Sequence, residues 1–303
     1  MAEAKKIATK TPVKKAVAKK AVEKKAPVKK VAVKKAPAKP AAPAVVVEVA
    51  AAQVTPAPAP AQAPVSAPVT AAAPTFTFDL QTMLEAGCHF GHKASKWHPK
   101  MAPYIYAEKD GIHLFDLPKT AQLLEAACQF VYKLGKEGKT MIIVGTKKQA
   151  REFVREAAVE AGCFHISARW MGGLLTNWPQ VSRSIKRMEE IKEGLATDKY
   201  KGYTKYERVQ LEKEQIKLER FFGGLKGLRQ QPDCLLIVDP KKEDIAVTEA
   251  RNVGVPVLAI IDTDSDPRTV DMVVPGNDDA AKSIKYFLDQ LAAAYKLGRS
   301  HKK

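Results

Sequence analysis

Positive charge, aromatic rings and histidines alternate in the segment CHFGHKASKWHPK, which begins at Cys88. The side chains concerned are Lys93, Lys96, Trp97, His98 and Lys100. Lysine amines can pair with phosphates while a planar ring stacks on an unpaired base, so this pattern favours contact with RNA. Packing of the rings in a turn is the ordinary alternative.

A metal site in the same segment is a further alternative, since Cys88, His89 and His92 all carry ligand atoms. Zinc needs three or four convergent ligands with supporting groups, and this spacing fits no zinc pattern. The sequence therefore predicts no metal site and leaves open whether these three residues ever hold an ion.

A second segment, ARWMGGLLTNW, begins at Ala168 and holds two of the three tryptophans of the chain. Its glycine pair allows a tight turn or the close approach of a partner. Arg169 offers a guanidinium, and Asn177 can cap a helix that starts with Pro179 in its first turn. Contact with a partner and a packed corner with buried tryptophans are both consistent with this composition.

A third segment, GTKKQ, follows an apolar run that reads as a strand and precedes a helical pattern. Such a turn is where doubly wound α/β folds bind phosphate, and Lys147 and Lys148 lie in it. Neither GxGxxG nor GxxxxGK[ST] occurs, which argues against a dinucleotide or P-loop site. The interpretation we favour is that this turn binds a phosphate of an RNA backbone at the protein surface. A solvated turn and a nucleotide pocket are the alternatives.

Two acidic segments near the C-terminal end of the chain are predicted to have structural roles and not catalytic ones. DTDSDP at 262–267 starts like a calcium loop, but proline stands where the loop needs glycine, so we expect a turn stabilised by its aspartates. In PGNDD, at 275–279, we expect Asn277 to cap the last helix. No nucleophile elbow, zinc-hydrolase motif or spaced acid–base pair is present, so the chain is predicted not to be an enzyme and to carry no cofactor.

Alternating strand and helix patterns must position these segments. Strands are predicted at 140–145, 164–168, 234–239, 255–262 and 270–274, and helices at 79–85, 117–133, 147–161, 243–252 and 279–297. This order predicts βαβ units and a mostly parallel sheet covered on both faces, a Rossmann-like three-layer α/β fold. Four scattered cysteines without a CxxC pair make disulfides and a cysteine zinc site unexpected.

The region at about 180–224 departs from that alternation. Ile185, Met188, Ile191 and Leu195 form one narrow apolar stripe, and Leu211, Leu218, Phe221 and Phe222 suggest another. A polar, tyrosine-rich turn lies between them. Two narrow stripes joined by a short turn predict a coiled-coil αα-hairpin that protrudes from the domain.

Residues 1–75 differ in composition from the rest of the chain. They contain no glycine, leucine or aromatic residue and hold 14 of the 50 basic and 3 of the 33 acidic residues, a net charge of +11 against +6 for 76–303. Lysine pairs recur every five residues, and an Ala/Pro/Val-rich stretch follows. Too little apolar area is present to offset chain entropy, so we expect a disordered cationic extension ahead of one α/β domain at 76–303.

A transit peptide is the main alternative for this extension, but the first arginine is Arg151 and Ser66 is the only serine before the domain. No signal peptide is evident, and no apolar run approaches the roughly 20 residues of a membrane span. We therefore expect a cytoplasmic protein without a membrane partner.

Six blocks in order resemble the small ribosomal subunit protein two family in its bacterial form, from about residue 78 to 300. The blocks are GCHFGHKASKWHPKMAPYIY, GIHLFDLPKT, VGTKKQA, ARWMGGLLTNW, PVLAIIDTDSDP and VPGNDDA. The resemblance implies a Rossmann-like domain without a nucleotide and a protruding coiled-coil hairpin. It also implies binding to small-subunit ribosomal RNA near the junction of head and body, contact with neighbouring ribosomal proteins, and recruitment of small-subunit protein one.

Carried over block by block, the resemblance implies a set of RNA contacts made of cations, two rings and one amide. They are Lys93, Lys96, Trp97, His98, Lys100, Lys147, Lys148, Arg169, Asn177, Arg183, Lys186 and Arg187. The rivals are a nucleotide-binding enzyme and a nucleic-acid-binding protein acting mainly through its basic tail. The sequence leaves open what the extension binds, and which face of the hairpin meets RNA or protein.

Overall fold

The computed structural model describes residues 74–197 and 199–302, so the predicted disordered extension lies outside the described residues apart from Pro74 and Thr75. The helices are α1 (Leu80–Glu85), α2 (Leu117–Glu137), α3 (Arg151–Ala161), α4 (Trp178–Ala196), α5 (Lys205–Phe222), α6 (Asp244–Val253) and α7 (Ala281–Ser300). The strands are β1 (Phe90–Lys93), β2 (Ile105–Lys109), β3 (Ile112–Phe115), β4 (Met141–Val144), β5 (Phe164–Ile166), β6 (Cys234–Val238), β7 (Val257–Ile261) and β8 (Met272–Pro275).

A five-stranded parallel sheet confirms the predicted α/β fold. Its strand order is β5-β4-β6-β7-β8, and every neighbouring pair is parallel. The central strands are MIIV, CLLIV and VLAII, all of whose residues are buried. Such continuous apolar runs occur where both faces of a parallel sheet are covered by helices.

Two apolar layers cover the sheet, because successive side chains of a strand point to opposite faces. One layer joins Ile143 and Leu236 to helices α2, α3 and α7, and Phe76 and Phe78 pack against its edge. The other joins Ile142 of β4 to α6, the start of α4 and the end of α5. The helices that follow β4 and β6 therefore lie on opposite faces of the sheet.

Helices α2 and α7 approach closely at a pair of glycines. A Cβ atom on Gly135 would lie 2.5 Å from the carbonyl oxygen of Tyr295, and Gly298 faces the α2 backbone in the same way. Only a residue without a side chain permits backbones to pack at this distance. The last helix of the chain is thereby fixed against the first long one.

Helices α4 and α5 form the predicted αα-hairpin. Val181, Ile185, Met188 and Ile191 are buried on α4, whereas Leu195, which we expected in the same stripe, is only half-buried. Lys192 pairs with Glu219 across the two helices, at 2.8 Å between Nζ and Oε1. The Thr204 side chain and the Glu207 side chain cap the start of α5 reciprocally.

A second, three-stranded antiparallel sheet was not predicted from the sequence. Its order is β1-β3-β2, and both pairs have irregular register. These strands have four or five residues and mixed burial, so no clean alternation of apolar and polar residues announces them. This sheet contains the first half of the cation-aromatic segment.

Several predicted boundaries were wrong by a few residues. Helix α3 starts at Arg151 and not at 147, β5 ends at Ile166, β8 starts at Met272, and α2 continues to Glu137. Helix α7 begins at Ala281 and has Ala280 at its N-cap, so the prediction that Asn277 caps this helix was wrong. The Asn277 side chain instead accepts hydrogen bonds from the backbone N–H groups of Asp279 and Ala280, which precede the helix. Asn177 lies at the N-cap of α4, but its side chain makes no capping hydrogen bond.

Candidate functional site

The carboxyl edge of the parallel sheet brings Lys147, one of the predicted binding residues, close to three aspartates. Lys147 follows β4, Asp239 follows β6, Asp262 follows β7 and Asp278 follows β8. Because the carboxyl ends of parallel strands meet at one edge, residues far apart in sequence become neighbours there. The three segments singled out in the sequence all border this edge.

Lys147 lies among three carboxylates. Its Nζ is 2.6 Å from Asp278 Oδ1, 2.7 Å from Asp279 Oδ1 and 3.2 Å from Asp239 Oδ2. Burial alone lowers the pKa of Lys147, but the charge of Asp278 and the hydrogen bonds to Asp278 and Asp279 outweigh it and raise that pKa. The amine is thus protonated, and the neighbouring carboxylates balance its positive charge within the protein.

His92 is bound to the same cluster from the antiparallel sheet. Its Nδ1 is 2.9 Å from Asp262 Oδ2, and its Nε2 is 3.3 Å from Asp279 Oδ2. The His92 backbone N–H donates to Asp262 Oδ1 and to the Thr263 hydroxyl. The hydrogen bond to Asp262 raises the pKa of His92 to about 9 against the opposing effect of burial. At neutral pH the ring therefore carries a positive charge.

Asp278 has an unsatisfied oxygen at the centre of this cluster. The residue is fully buried, and its Oδ2 has no hydrogen-bond partner within the described part of the chain. Burial raises the pKa of Asp278, and the charges of Asp239 and Asp262 act in the same direction, while Lys147 opposes them. The cluster consequently holds more carboxylates than its two cations fully satisfy.

One group of possible metal ligands exists among residues 74–197 and 199–302. Ligand atoms of His92, Asp262 and Asp278 lie within 4.8 Å of one another. An imidazole with two carboxylates suits a divalent cation such as zinc, provided that the ring loses its proton. Of the three candidates named from the sequence, His92 belongs to this group; His89 stacks on Phe90, and burial raises the pKa of the Cys88 thiol to about 11.

The cation-aromatic segment runs along the same edge. The His98 backbone N–H donates to the Thr263 carbonyl at 2.7 Å, which ties the segment to the turn after β7. The Trp97 ring lies 5.2 Å from the His113 ring and remains 38% exposed. Lys93, Lys96 and Lys100 are exposed and form no side-chain hydrogen bond or ion pair with the described residues. These amines are free to meet phosphates.

The glycine-rich segment is organised by Glu249 of α6, a residue that the sequence analysis missed. Its Oε1 accepts from Trp170 Nε1 at 3.2 Å and from the Gly173 N–H at 2.7 Å. Its Oε2 accepts from the N–H groups of Leu175 and Thr176. Burial raises the pKa of Glu249, but the hydrogen bonds together lower that pKa by more than burial raises it, so the net shift is downward. No local spacing could reveal this partner, because it lies more than seventy residues away.

The remaining predicted residues divide into packed and exposed ones. Trp170 is buried in the core, and Trp178 is half-buried against it. Arg169 and Lys148 are exposed without side-chain partners among the described residues. On α4, Arg183, Lys186 and Arg187 are all exposed, and three- and four-residue spacing places them on one face. Arg187 pairs with Glu214 of α5 at 3.3 Å.

These features define a class of protein: a doubly wound α/β domain without a glycine phosphate fingerprint, carrying a two-helix hairpin and an edge rich in free cations. Residues 83–298 match the family model for ribosomal protein S2, and the chain belongs to that family. The family consists of structural components of the small ribosomal subunit and not of enzymes.

Two relatives illustrate the similarity. The small ribosomal subunit protein uS2 of Geotalea uraniireducens (strain Rf4) is 45% identical over 215 residues, covering 71% of this chain and 84% of that protein. The protein of the same name from Koribacter versatilis (strain Ellin345) is 45% identical over 213 residues, covering 70% of this chain and 71% of its own length. The first 75 residues lie outside the family match.

Across the described residues, no helix combines the length and apolarity that crossing a membrane requires.

Proposed function

We propose that this structural component of the small ribosomal subunit binds small-subunit ribosomal RNA through the carboxyl edge of its sheet and the adjoining face of α4. The observation that carries the proposal is a group of exposed amines beside the exposed ring of Trp97, those of Lys93, Lys96 and Lys100, which no described residue pairs with. Phosphate pairing fixes a protein on RNA, and an exposed ring adds stacking on an unpaired base.

The cations contribute unequally in this proposal. Four further cations are exposed and have no side-chain partner among residues 74–197 and 199–302, so we assign them to the interface: Lys148, Arg169, Arg183 and Lys186. Lys147 is enclosed by carboxylates, and Arg187 is paired with Glu214. These two cations would have to give up existing ion pairs in order to meet a phosphate. We therefore assign them supporting roles.

Recruitment of small-subunit protein one is a finer part of the proposal. The antiparallel sheet supports it, because Tyr106 is 77% exposed and Phe90 is 45% exposed. Exposed aromatic rings are enriched at the centres of protein–protein interfaces. The proposal includes a position near the head–body junction, which the resemblance implies, and a cytoplasmic location. The composition of the chain supports the division into an extension at 1–75 and a domain at 76–303, and its two apolar stripes support the hairpin at about 180–224.

The test combines sedimentation with direct binding. Full-length protein is followed through sucrose gradients of cell lysate at moderate and high salt, and filter binding to transcribed small-subunit RNA gives the affinity. The triple variant Lys93→Gln/Lys96→Gln/Lys100→Gln is compared with Lys133→Gln/Lys136→Gln/Lys226→Gln, which removes the same charge from exposed positions elsewhere.

We expect the wild type in the small-subunit peak at both salt concentrations. The first variant should bind RNA at least tenfold more weakly than the second, because each phosphate contact contributes to affinity and to its salt dependence. Equal affinities of the two variants would show that this surface does not bind RNA. Loss of all RNA binding on removal of residues 1–75 would instead favour a protein that acts through its basic tail.

A further inference from the structure

A concave pocket lies where the doubly wound sheet changes direction. The strand order places β5 on one side of β4 and β6 on the other, and the helices that follow β4 and β6 cover opposite faces. This divergence leaves a crevice at the carboxyl ends of the strands, the place where open α/β sheets hold ligands. The pocket has a volume of about 350 Å³.

The pocket is lined by the turns that follow three neighbouring strands. Its residues are Thr146, Arg151, Ala168, Arg169, Trp170, Lys242, Glu243 and Ile245. Three of these eight side chains are permanent cations, and only one is acidic. Such an excess of positive charge in a recess focuses the field on an anion.

The three cations are arranged differently. Arg151 is fixed across the pocket, because its Nε donates to the Thr146 carbonyl at 3.0 Å and its Nη2 lies 3.5 Å from the Ala168 carbonyl oxygen. Arg169 and Lys242 are exposed and make no side-chain hydrogen bond or ion pair with any described residue. Two exposed cations and one anchored guanidinium thus line the same pocket.

The single carboxylate in the pocket already has a hydrogen-bond donor from the protein. Glu243 is buried and accepts a hydrogen bond from the Thr146 hydroxyl. Burial raises the pKa of Glu243, which disfavours its charged form. In addition, α3 begins at Arg151 itself, so the positive end of its dipole lies at the pocket.

We propose that this pocket binds one phosphate group, held by Arg151, Arg169 and Lys242, and that the phosphate belongs to the RNA backbone. The proposal rests on the RNA-binding function above and adds to it a defined subsite with two cations, Arg151 and Lys242, that the sequence analysis did not single out. The missing glycine fingerprint of the β4 turn argues against a free nucleotide as the source.

The experiment uses the full chain and small-subunit RNA. Arg169→Gln/Lys242→Gln removes the two unpaired cations, and Lys226→Gln/Arg251→Gln removes two exposed cations outside the pocket as the matched control. Arg151 is kept, because its hydrogen bonds to the backbone support the fold. Thermal unfolding verifies that both variants are folded.

We expect about tenfold weaker RNA binding for the pocket variant than for its control, with the slope of log K against log salt reduced by about one. A wild type that binds RNA and a pocket variant equal to its control would overturn the subsite and leave the RNA-binding function intact. A wild type that does not bind RNA would overturn the function itself.

A second arm distinguishes the sources of the phosphate. Inorganic phosphate and adenosine monophosphate are titrated separately into the wild type and the pocket variant and followed by calorimetry. We expect both to bind the wild type with similar, weak affinity and to lose that binding in the variant. Adenosine monophosphate binding at least tenfold more tightly than phosphate would overturn the RNA backbone as the source.

Discussion

His92 joins the antiparallel sheet to the carboxyl edge of the parallel sheet through its charge. Asp262 and Asp279 contact the ring directly, and Asp264 and Asp278 add negative potential. The proton on this ring is therefore bound more tightly in the folded protein than in the unfolded chain. Stability must depend on pH wherever the two states differ in bound protons.

We predict a pH-dependent stability difference between the wild type and His92→Gln. The pKa of His92 is raised from 6.5 to about 9, so its stabilising effect is fully present below pH 6.5 and is lost as pH rises through 9. Urea unfolding at pH 6 should show the wild type more stable by on the order of 3 kcal/mol, since the pKa rises from 6.5 to about 9 and one pKa unit corresponds to about 1.4 kcal/mol.

At pH 9.5 the same comparison should show a clearly smaller difference. The variant retains the surrounding carboxylates and Lys147, so the difference between the two proteins isolates the contribution of the ring. A difference that stays constant from pH 6 to pH 9.5 would contradict the assignment of a charged His92.

Arg169 and Asn177 lie in a loop that is hydrogen-bonded to helix α6. The segment 168–178 has little regular structure of its own, and Glu249 of α6 receives hydrogen bonds from its backbone and from Trp170. A buried carboxylate that accepts several N–H groups is expensive to replace, because each donor then remains unsatisfied. The conformation of the loop thus depends on a different element.

We predict that Glu249→Gln destabilises the protein by about 3 kcal/mol, because an amide offers one acceptor oxygen where the carboxylate offers two. Urea unfolding measures the change, and hydrogen exchange should show faster exchange at Gly173, Leu175 and Thr176. Glu156→Gln on the exposed face of α3 is the control and should lie within about 0.5 kcal/mol of the wild type. Unchanged exchange at these three amides would show that Glu249 does not hold the loop.

Helices and strands with a long, regular pattern of apolar residues were predictable from the sequence. Short strands that mix apolar and polar residues were not. The runs at β4, β6 and β7 are wholly apolar, and α4 repeats its buried residues at helical spacing, so their types were predicted correctly. The antiparallel strands carry histidine, lysine and tyrosine at positions of mixed burial and were missed.

Site residues were predictable only where local composition carried the signal. Lys147 was singled out for its position after a strand, but its partners come from the turns after β6 and β8. Glu249 and Lys242 resemble ordinary surface charges in the sequence. Their importance arises from tertiary proximity, which spacing along one chain does not encode.

At the scale of the whole molecule, positive charge is concentrated in the part that precedes the domain. Residues 1–75 carry a net charge of +11, and 76–303 carry +6. A lysine-rich segment attracts RNA whatever the RNA sequence and releases counterions when it binds. The folded surface and the extension should therefore respond differently to salt.

We predict that removal of residues 1–75 lowers the magnitude of the slope of log K against log salt by several units in RNA filter binding. Affinity should fall strongly at low salt and little at high salt, where the folded domain dominates. A full-length variant with all 14 lysines of this segment replaced by glutamine separates charge from chain length and should behave like the deletion. An unchanged salt slope in both proteins would rule out RNA contact by the extension.

The cluster around Lys147 has a consequence for synthesis of the chain. Its members begin at His92 and end at Asp279, so the last of them leaves the ribosome almost two hundred residues after the first. Until then a lysine and several aspartates lack their final partners, and α2 lacks the helix that packs on Gly135. The ion pairs at the sheet edge can therefore form only late in synthesis. A nascent chain halted before residue 279 lacks Asp279, which contacts both Lys147 and His92, and only the finished domain has the complete edge.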